Sequence, residues 1–385
     1  MQKQTKHAML ARATHDEASR QEFTASLKSH LSSEVTSGTR KVYDAETKPA
    51  FVRAHNRPPR DRHEVRRAIG RNGYYQMASS LKRTAQELMF DSVGESVERQ
   101  LPDLIGKASQ RHRRARYGSL RLDASLPMPR YHTAVDIHCM PGGYHREIAA
   151  DDVYAGALYD RSIYLFSMGI RGVLNDDFGQ SLATYYKREH PNLNPRRILD
   201  MGCSVGHGTL PHVDAFPGAE VYAIEVAAPM LRYAHARAEA LGKRVHFSQQ
   251  NAEATDFPDG HFDLVMSQIV IHETSHRALP RILAECKRLL PPGGLMLHMD
   301  GLDWKGLEPY DAFVPDWDTY YNNEPFIGGL HDLDLIELAA AAGFDRRGAF
   351  VTSTRSGLSQ AETRRELASG DFGNVGRVMI FGARA

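Results

Sequence analysis

The stretch Arg197-Ile198-Leu199-Asp200-Met201-Gly202-Cys203-Ser204-Val205-Gly206-His207-Gly208 constrains this 385-residue chain more than any other. It reads as a short apolar strand running into a glycine-rich turn, with a helix expected to open at about Thr209. Glycines let a backbone come close to a ligand, and the free N–H groups of a first helical turn hold polar atoms. Nineteen residues beyond Gly206, the strand Val221-Tyr222-Ala223-Ile224-Glu225 ends in an acid that can accept both hydroxyls of a ribose. The glycines fall at 202, 206 and 208, which is not the G-x-G-x-x-G spacing of a dinucleotide site. Asp200, just before the turn, would repel a diphosphate and would suit a cation, such as a sulfonium ligand carrying an ammonium group.

From Arg197 onward the pattern alternates strand, turn and helix, the signature of a doubly wound α/β sheet. Four further segments fall in order. Glu225 closes the second strand, and Asn251-Ala252-Glu253 follows the apolar run Val245-His246-Phe247. Asp259-Gly260-His261-Phe262-Asp263-Leu264-Val265 leads into a fourth strand, and Leu289-Leu290-Pro291-Pro292-Gly293-Gly294-Leu295 turns from a helix into a fifth.

Taken with the glycine turn, these segments resemble the class I S-adenosylmethionine-dependent methyltransferases, in the subgroup typified by ubiquinone-biosynthesis enzymes. The likeness covers roughly residues 150–385 and departs from the common form at Ser204, where a glycine is frequent. It implies a Rossmann-like seven-stranded sheet with helices on both faces. Its last strand, Arg377-Val378-Met379-Ile380-Phe381, enters antiparallel. It also implies S-adenosyl-L-methionine as cofactor, held by Asp200, Gly202, Cys203, Ser204, Gly206, Glu225, Val226, Asn251, Ala252, Glu253, Ser267 and Gln268. The stretch Tyr154–Tyr164 resembles a lid helix, whose Tyr159 or Arg161 would reach the methionine carboxylate.

Ligands of open α/β sheets bind at the carboxyl ends of the strands. The fourth strand delivers Ser267-Gln268-Ile269-Val270-Ile271-His272-Glu273 there, which makes His272 the first candidate for a general base. A structural histidine at the strand end is the equal alternative. Glu273 would orient the imidazole or touch substrate. His272-Glu273-Thr274-Ser275-His276 matches H-E-x-x-H, but that zinc pattern works only within one helix, and here a strand precedes it. His132, His138, Cys139 and His145 are further ligand types without a recognisable metal spacing, so no metal is expected.

Upstream, residues 1–60 form an N-terminal arm, helical to about Ser37-Gly38 and extended from there to Pro58-Pro59. Residues 61–150 form a mostly α-helical region serving as substrate lid or dimerisation surface, with Pro102 and Gly118 as breaks. Residues 151–385 form the catalytic domain. Its insert at 301–329 carries Trp304, Tyr310, Phe313, Trp317, Tyr320, Tyr321 and Phe326, an aromatic density expected to line a pocket rather than cover the core.

The net charge of +1 hides a split. Residues 1–130 hold 25 Lys and Arg against 14 Asp and Glu, and the remainder holds 23 against 33. Mutual neutralisation, within the chain or across a homodimer, is preferred to a nucleic-acid partner. No apolar run is long enough for a membrane span. Met1 to Arg20 lacks the apolar stretch of a signal peptide, and three cysteines do not make a disulfide framework. A cytoplasmic protein acting on a small molecule is the resulting expectation, with an oxygen acceptor preferred over nitrogen or carbon. Methylation of nucleic acid, and non-methyl chemistry such as cyclisation of the cofactor's aminobutyl chain, are the alternatives.

Overall fold

The computed structural model describes residues 4–301, 303–355 and 377–385. Eight strands form one sheet: β1 (Ser119–Arg121), β2 (Arg197–Met201), β3 (Glu220–Glu225), β4 (His246–Gln249), β5 (Leu264–Gln268), β6 (Leu295–Asp300), β7 (Ala349–Arg355) and β8 (Arg377–Arg384). Their order is β1-β4-β3-β2-β5-β6-β8-β7. The pairs among β1 to β6 are parallel, and β8 runs antiparallel between β6 and β7. From β2 the chain winds outward through β3 to β4, then returns to place β5 on the other side of β2. That reversal opens a crevice at the carboxyl ends of β2 and β5.

Period-two alternation explains the burial of the sheet on both faces. Ile198, Leu264, Met266, Leu295 and Leu297 pack into one apolar layer. Their neighbours Leu199, Val265 and Met296 pack into the other, against the Ala278–Leu289 helix.

The strand count corrects the expected seven. The seven of the catalytic domain are present, and β1 is added at the β4 edge from the N-terminal half. Gly118 makes this possible: a Cβ there would lie 2.0 Å from the Val245 carbonyl oxygen. The Glu239 carboxylate fastens the approach by accepting the N–H groups of Arg116, Tyr117 and Gly118 at 2.8, 3.0 and 2.9 Å. Three residues are too few to show a period, so this strand left no pattern in the sequence.

The extended arm expected after Gly38 is helical instead. After the Thr14–Glu17 capping box, helical backbone runs from His15 to His55 with two π-type turns. Gly38 does not break it, because its bare Cα is where Tyr74 packs; a Cβ would meet the phenolic oxygen at 2.0 Å. Pro49 enters a helix already under way, directly after the Tyr43–Thr47 π-type turn. Helices at Arg62–Ile69, Gly73–Glu98 and Leu101–Arg113 follow.

The insert aromatics also depart from expectation. Tyr310, Phe313 and Trp317 on the Pro309–Tyr321 helix are buried among Leu31, Tyr43, Val65, Ile69 and Tyr75, so they form a core with the N-terminal helices. Trp317 Nε1 donates to Ser79 Oγ at 2.9 Å. The insert faces an apolar partner surface that the sequence alone did not place, and burying rings there removes more apolar area from water than lining a cleft.

Ion pairs link the basic N-terminal half to the remainder: Arg62–Asp332, Arg66–Asp316, Arg40–Asp311 and Lys82–Asp318 at the insert, and Arg121–Asp256 at the sheet edge. The charge split is thus neutralised in part within one chain. Among the described residues no helix is long and apolar enough to cross a membrane.

Candidate active site

Strand β2 ends at Met201 and the glycine turn begins. Gly202 and Gly206 have φ of 75° and 80°, and Ser204, where a glycine is frequent in the resembling family, also takes a positive φ of 50°. A side chain in that region costs about 1–2 kcal/mol, so the departure is paid as local strain. A Cβ on Gly202 would lie 2.8 Å from Val270, and one on Gly208 would lie 2.4 Å from Gln268 Oε1.

Two carboxyls sit under the turn. Asp200 is buried and accepts from Thr209 Oγ1 at 2.6 Å. Burial pushes it up to about 7, with Glu225 adding to the rise and Thr209 opposing it. Glu225 accepts the N–H groups of Val226 and Ala227 on one oxygen, at 2.8 and 3.1 Å, and that of Ser204 on the other at 3.2 Å. Burial raises it despite those amides.

The remaining expected residues distribute unevenly. Asn251 Oδ1 accepts the Glu253 N–H at 2.9 Å and shapes the loop after β4. Ala252 packs against the apolar layer below. Glu253 accepts from the Tyr131 hydroxyl at 3.1 Å and pairs with Arg281. Gln268 donates to the Gly208 carbonyl at 3.1 Å. Ser267 turns into the sheet, 2.7 Å from His298 Nδ1, and the Cys203 thiol is buried. Tyr159 stacks on His207 of the glycine turn and meets Tyr144 edge-on. Arg161 is engaged elsewhere, by Gln21 and Gln4 at 2.9 and 3.1 Å.

Its neighbour Asp160 carries a role that sequence reading did not assign. This buried carboxylate receives His207 at 2.9 Å, His7 at 3.0 Å and the Tyr233 hydroxyl at 2.7 Å. Burial opposes its charge, but His207, His7 and Arg237 hold it well below the usual carboxylate range. The N-terminal segment is thereby tied to the glycine turn.

Beyond β5, His272 and Glu273 lie in a 3-10 turn (Ile271–Glu273), and the helix that follows starts only at Ala278. His276 is therefore not one helical turn from His272 on a shared face, and the zinc-protease geometry is absent here. Among the described residues no three His, Cys, Asp or Glu side chains are arranged to hold a metal ion.

His272 Nδ1 is 2.5 Å from Asp300, at the end of β6, and its Nε2 lies 4.0 Å from Glu273 and 3.9 Å from Glu324. His138, from the N-terminal half, places Nε2 3.2 Å from Glu273 and Nδ1 3.2 Å from Glu324. Asn322 donates to Glu324 at 2.6 Å and lies 3.0 Å from His138 Nδ1; the Tyr144 hydroxyl donates to Glu273 at 2.9 Å. Two imidazoles and two glutamates thus alternate around a ring built from three distant segments. Burial would lower both histidines. Asp300, Glu273 and Glu324 override it, pushing His272 up to about 9, and Glu324 and Glu273 push His138 up to about 10. Asp300 was discoverable, since it ends β6 as Glu225 ends β3. Glu324 was not, because nothing in its neighbourhood marks it.

A glycine turn with acids at the carboxyl ends of β2 and β3, in a sheet whose last strand is antiparallel, defines the class I methyltransferase fold. The comparison with known proteins agrees: residues 198–294 match the family described as "Methyltransferase domain". It is 36% identical over 137 residues to the demethylmenaquinone methyltransferase of Thermus thermophilus, covering 35% of this chain and 60% of the relative. To a ubiquinone biosynthesis O-methyltransferase of Cereibacter sphaeroides it is 36% identical over 172 residues, 40% of this chain and 62% of the relative. A malonyl-[acyl-carrier protein] O-methyltransferase of Methylococcus capsulatus is 34% identical over 133 residues, 33% and 46% respectively. The chain spans about half to three-fifths of these relatives' lengths. Among solved structures, a phosphoethanolamine N-methyltransferase of Haemonchus contortus aligns with a TM-score of 0.43 at 20% identity, over 59% of this chain and 57% of that one.

Proposed function

We propose that this chain is an S-adenosylmethionine-dependent methyltransferase acting on a small-molecule acceptor, with an oxygen nucleophile preferred. The observation that carries the cofactor is the glycine turn. Among the described residues, Gln268 Oε1 is buried there without a hydrogen-bond partner, in a turn where added Cβ atoms at Gly202 and Gly208 would collide with their surroundings. Buried polar atoms are rarely left unpaired, and those that are call for a reason. Asp200 and Glu225, both raised by burial, favour a ligand that brings hydroxyls and positive charge.

The cofactor supplies an activated methyl group on a cationic sulfur. This chain's part is to align the acceptor, exclude water and handle a proton. Glu225 fits the ribose hydroxyls, and the Asn251–Glu253 loop fits the adenine side. Tyr159 closes over the turn, and His272 and Glu273 stand at the acceptor end. The named relatives that methylate oxygen support an O-acceptor.

Intrachain pairing of the basic half weakens the nucleic-acid alternative. Cyclisation would be recognised by product analysis. A homodimer is a companion reading, and a monomeric mass in solution would remove it. To test the reading, S-adenosylmethionine and S-adenosylhomocysteine are titrated by calorimetry into wild type, Asp200→Ala and Glu225→Ala. Binding to wild type that is lost in the variants is expected. Equal binding in all three would refute the site.

A further inference from the structure

We propose that Glu273, rather than His272, takes the proton from the acceptor's hydroxyl; the inference rests on the methyl-transfer reading above. Three features of the ring lead to it.

The first is lone-pair availability. A general base must present an unprotonated atom to its substrate. His272 directs Nδ1 at Asp300 and Nε2 at Glu273 and Glu324, so each ring nitrogen faces a carboxylate. Its side chain is 3% exposed. At those distances Nε2 makes no hydrogen bond, but an imidazole set among three carboxylates is held as the cation, pushed up to about 9 against burial, and so offers no lone pair.

The second is access. Glu273 is the most exposed member of the cluster, at 18% against 8% for His138, 6% for Glu324 and 1% for Asp300. The described hydrogen bonds to its carboxylate, from Tyr144 and His138, both end on Oε1. Among the described residues Oε2 receives none, so it is the oxygen open to an acceptor. Around the carboxylate stand His138, His132 and Tyr144 from the N-terminal half, Tyr159 from the Tyr154–Phe166 helix, His272 beside it and Glu225 across the turn.

The third is charge. Three acids, Asp300, Glu273 and Glu324, meet two imidazoles, so the cluster carries an excess of acidic groups. A positive sulfonium nearby offsets it. As the acceptor oxygen bonds to the methyl carbon, the methyl–sulfur bond breaks and sulfur keeps its electron pair. The hydroxyl proton then goes to Glu273 Oε2. One positive charge leaves the site and one proton enters the carboxylate, so the net charge of the buried region does not change. In a medium that solvates isolated charge poorly, that balance favours the forward step.

The consequence can be read without knowing the acceptor. Exchanging the sulfonium for a neutral thioether should draw a proton onto Glu273. S-adenosylmethionine and S-adenosylhomocysteine are titrated by calorimetry at neutral pH in two buffers of different ionisation enthalpy, which gives the protons taken up with each ligand. Wild type should take up more protons with S-adenosylhomocysteine, by up to about one. Glu273→Gln should bind both ligands and lose that difference. Tyr144→Phe, which removes a hydrogen bond stabilising the ionised carboxylate, should enlarge it, and this second variant keeps the test decisive if the first does not fold. Equal uptake with the two ligands in wild type, or an unchanged difference in Glu273→Gln, would overturn the assignment while leaving the cofactor site standing. Failure of both ligands to bind wild type would remove the parent reading and this one together.

Discussion

The two ends of the candidate site are built in opposite ways. The cofactor end lies within one run of sequence: Asp200 near the end of β2 leads into the turn that holds Gly202, Ser204 and Gly206, and Glu225 enters from the adjoining strand. The acceptor end gathers His138 from before the domain, His272 and Glu273 from the end of β5, Asp300 from β6 and Glu324 from the insert. In the first, local geometry does the positioning, and glycines carry the constraint. In the second, charge does it, and each side chain is held by a partner hundreds of atoms away along the chain. The contrast predicts that damage to the first costs ligand affinity, whereas damage to the second costs the fold.

Glu324→Gln should produce the largest effect. Removing one partner from a buried charge pair typically costs about 3–5 kcal/mol, and here it leaves His138 and His272 short of a carboxylate. Denaturant unfolding measures this, and a loss below about 1 kcal/mol would show that the ring does not organise the acceptor end. The same ring sets a pH response. Its imidazoles are raised to about 9 and about 10 in the folded protein, so their stabilisation is fully present below their ordinary value near 6.5 and is lost as pH climbs toward 10. Melting temperature should therefore fall across that window, and His138→Gln should flatten the fall.

Glu225→Ala comes next and should act on binding. Losing hydrogen bonds to a charged group costs about 1.5–3 kcal/mol, which is roughly a 10- to 100-fold weaker S-adenosylmethionine titration, and because three backbone N–H groups lose their acceptor some stability goes too, less than in Glu324→Gln. If Glu225→Ala destabilises the chain more than Glu324→Gln, the contrast collapses.

Ser204→Gly should be mildly favourable. It relieves a positive φ, and a gain of up to about 1 kcal/mol is expected in unfolding experiments. Arg40→Ala, which breaks an exposed pair with Asp311 between the halves, should cost under about 0.5 kcal/mol. A larger loss would mean that surface charge, not the aromatic seam around Trp317, joins the halves.

Legibility followed the same division. The strand-turn-strand logic around Asp200 and Glu225 appeared directly, because period-two burial and glycine spacing are local properties. His272 and Glu273 were reachable through the rule that strand ends carry ligands. Their roles were not, since those depend on carboxylates contributed from elsewhere. The arm after Gly38 was misjudged for a related reason. A glycine reads as a break until a partner such as Tyr74 is seen to need the space it leaves. The insert aromatics were assigned to a pocket because their counterpart, the apolar face of the N-terminal helices, cannot be docked from pattern alone.

By itself, then, the sequence determined the α/β class, the order of the strands from β2 onward and the position of the glycine turn, all of which arise from interactions between near neighbours. Only the tertiary structure decided that a three-residue segment at 119–121 extends the sheet, that the basic N-terminal half pairs with the acidic remainder, and that His138 and Glu324 close a ring around His272. The physical reason is range. Backbone conformation and apolar periodicity are written in consecutive residues, whereas the charge state of a buried imidazole is set by whichever carboxylates the fold brings within about 4 Å, and in a poorly solvating interior those contacts dominate.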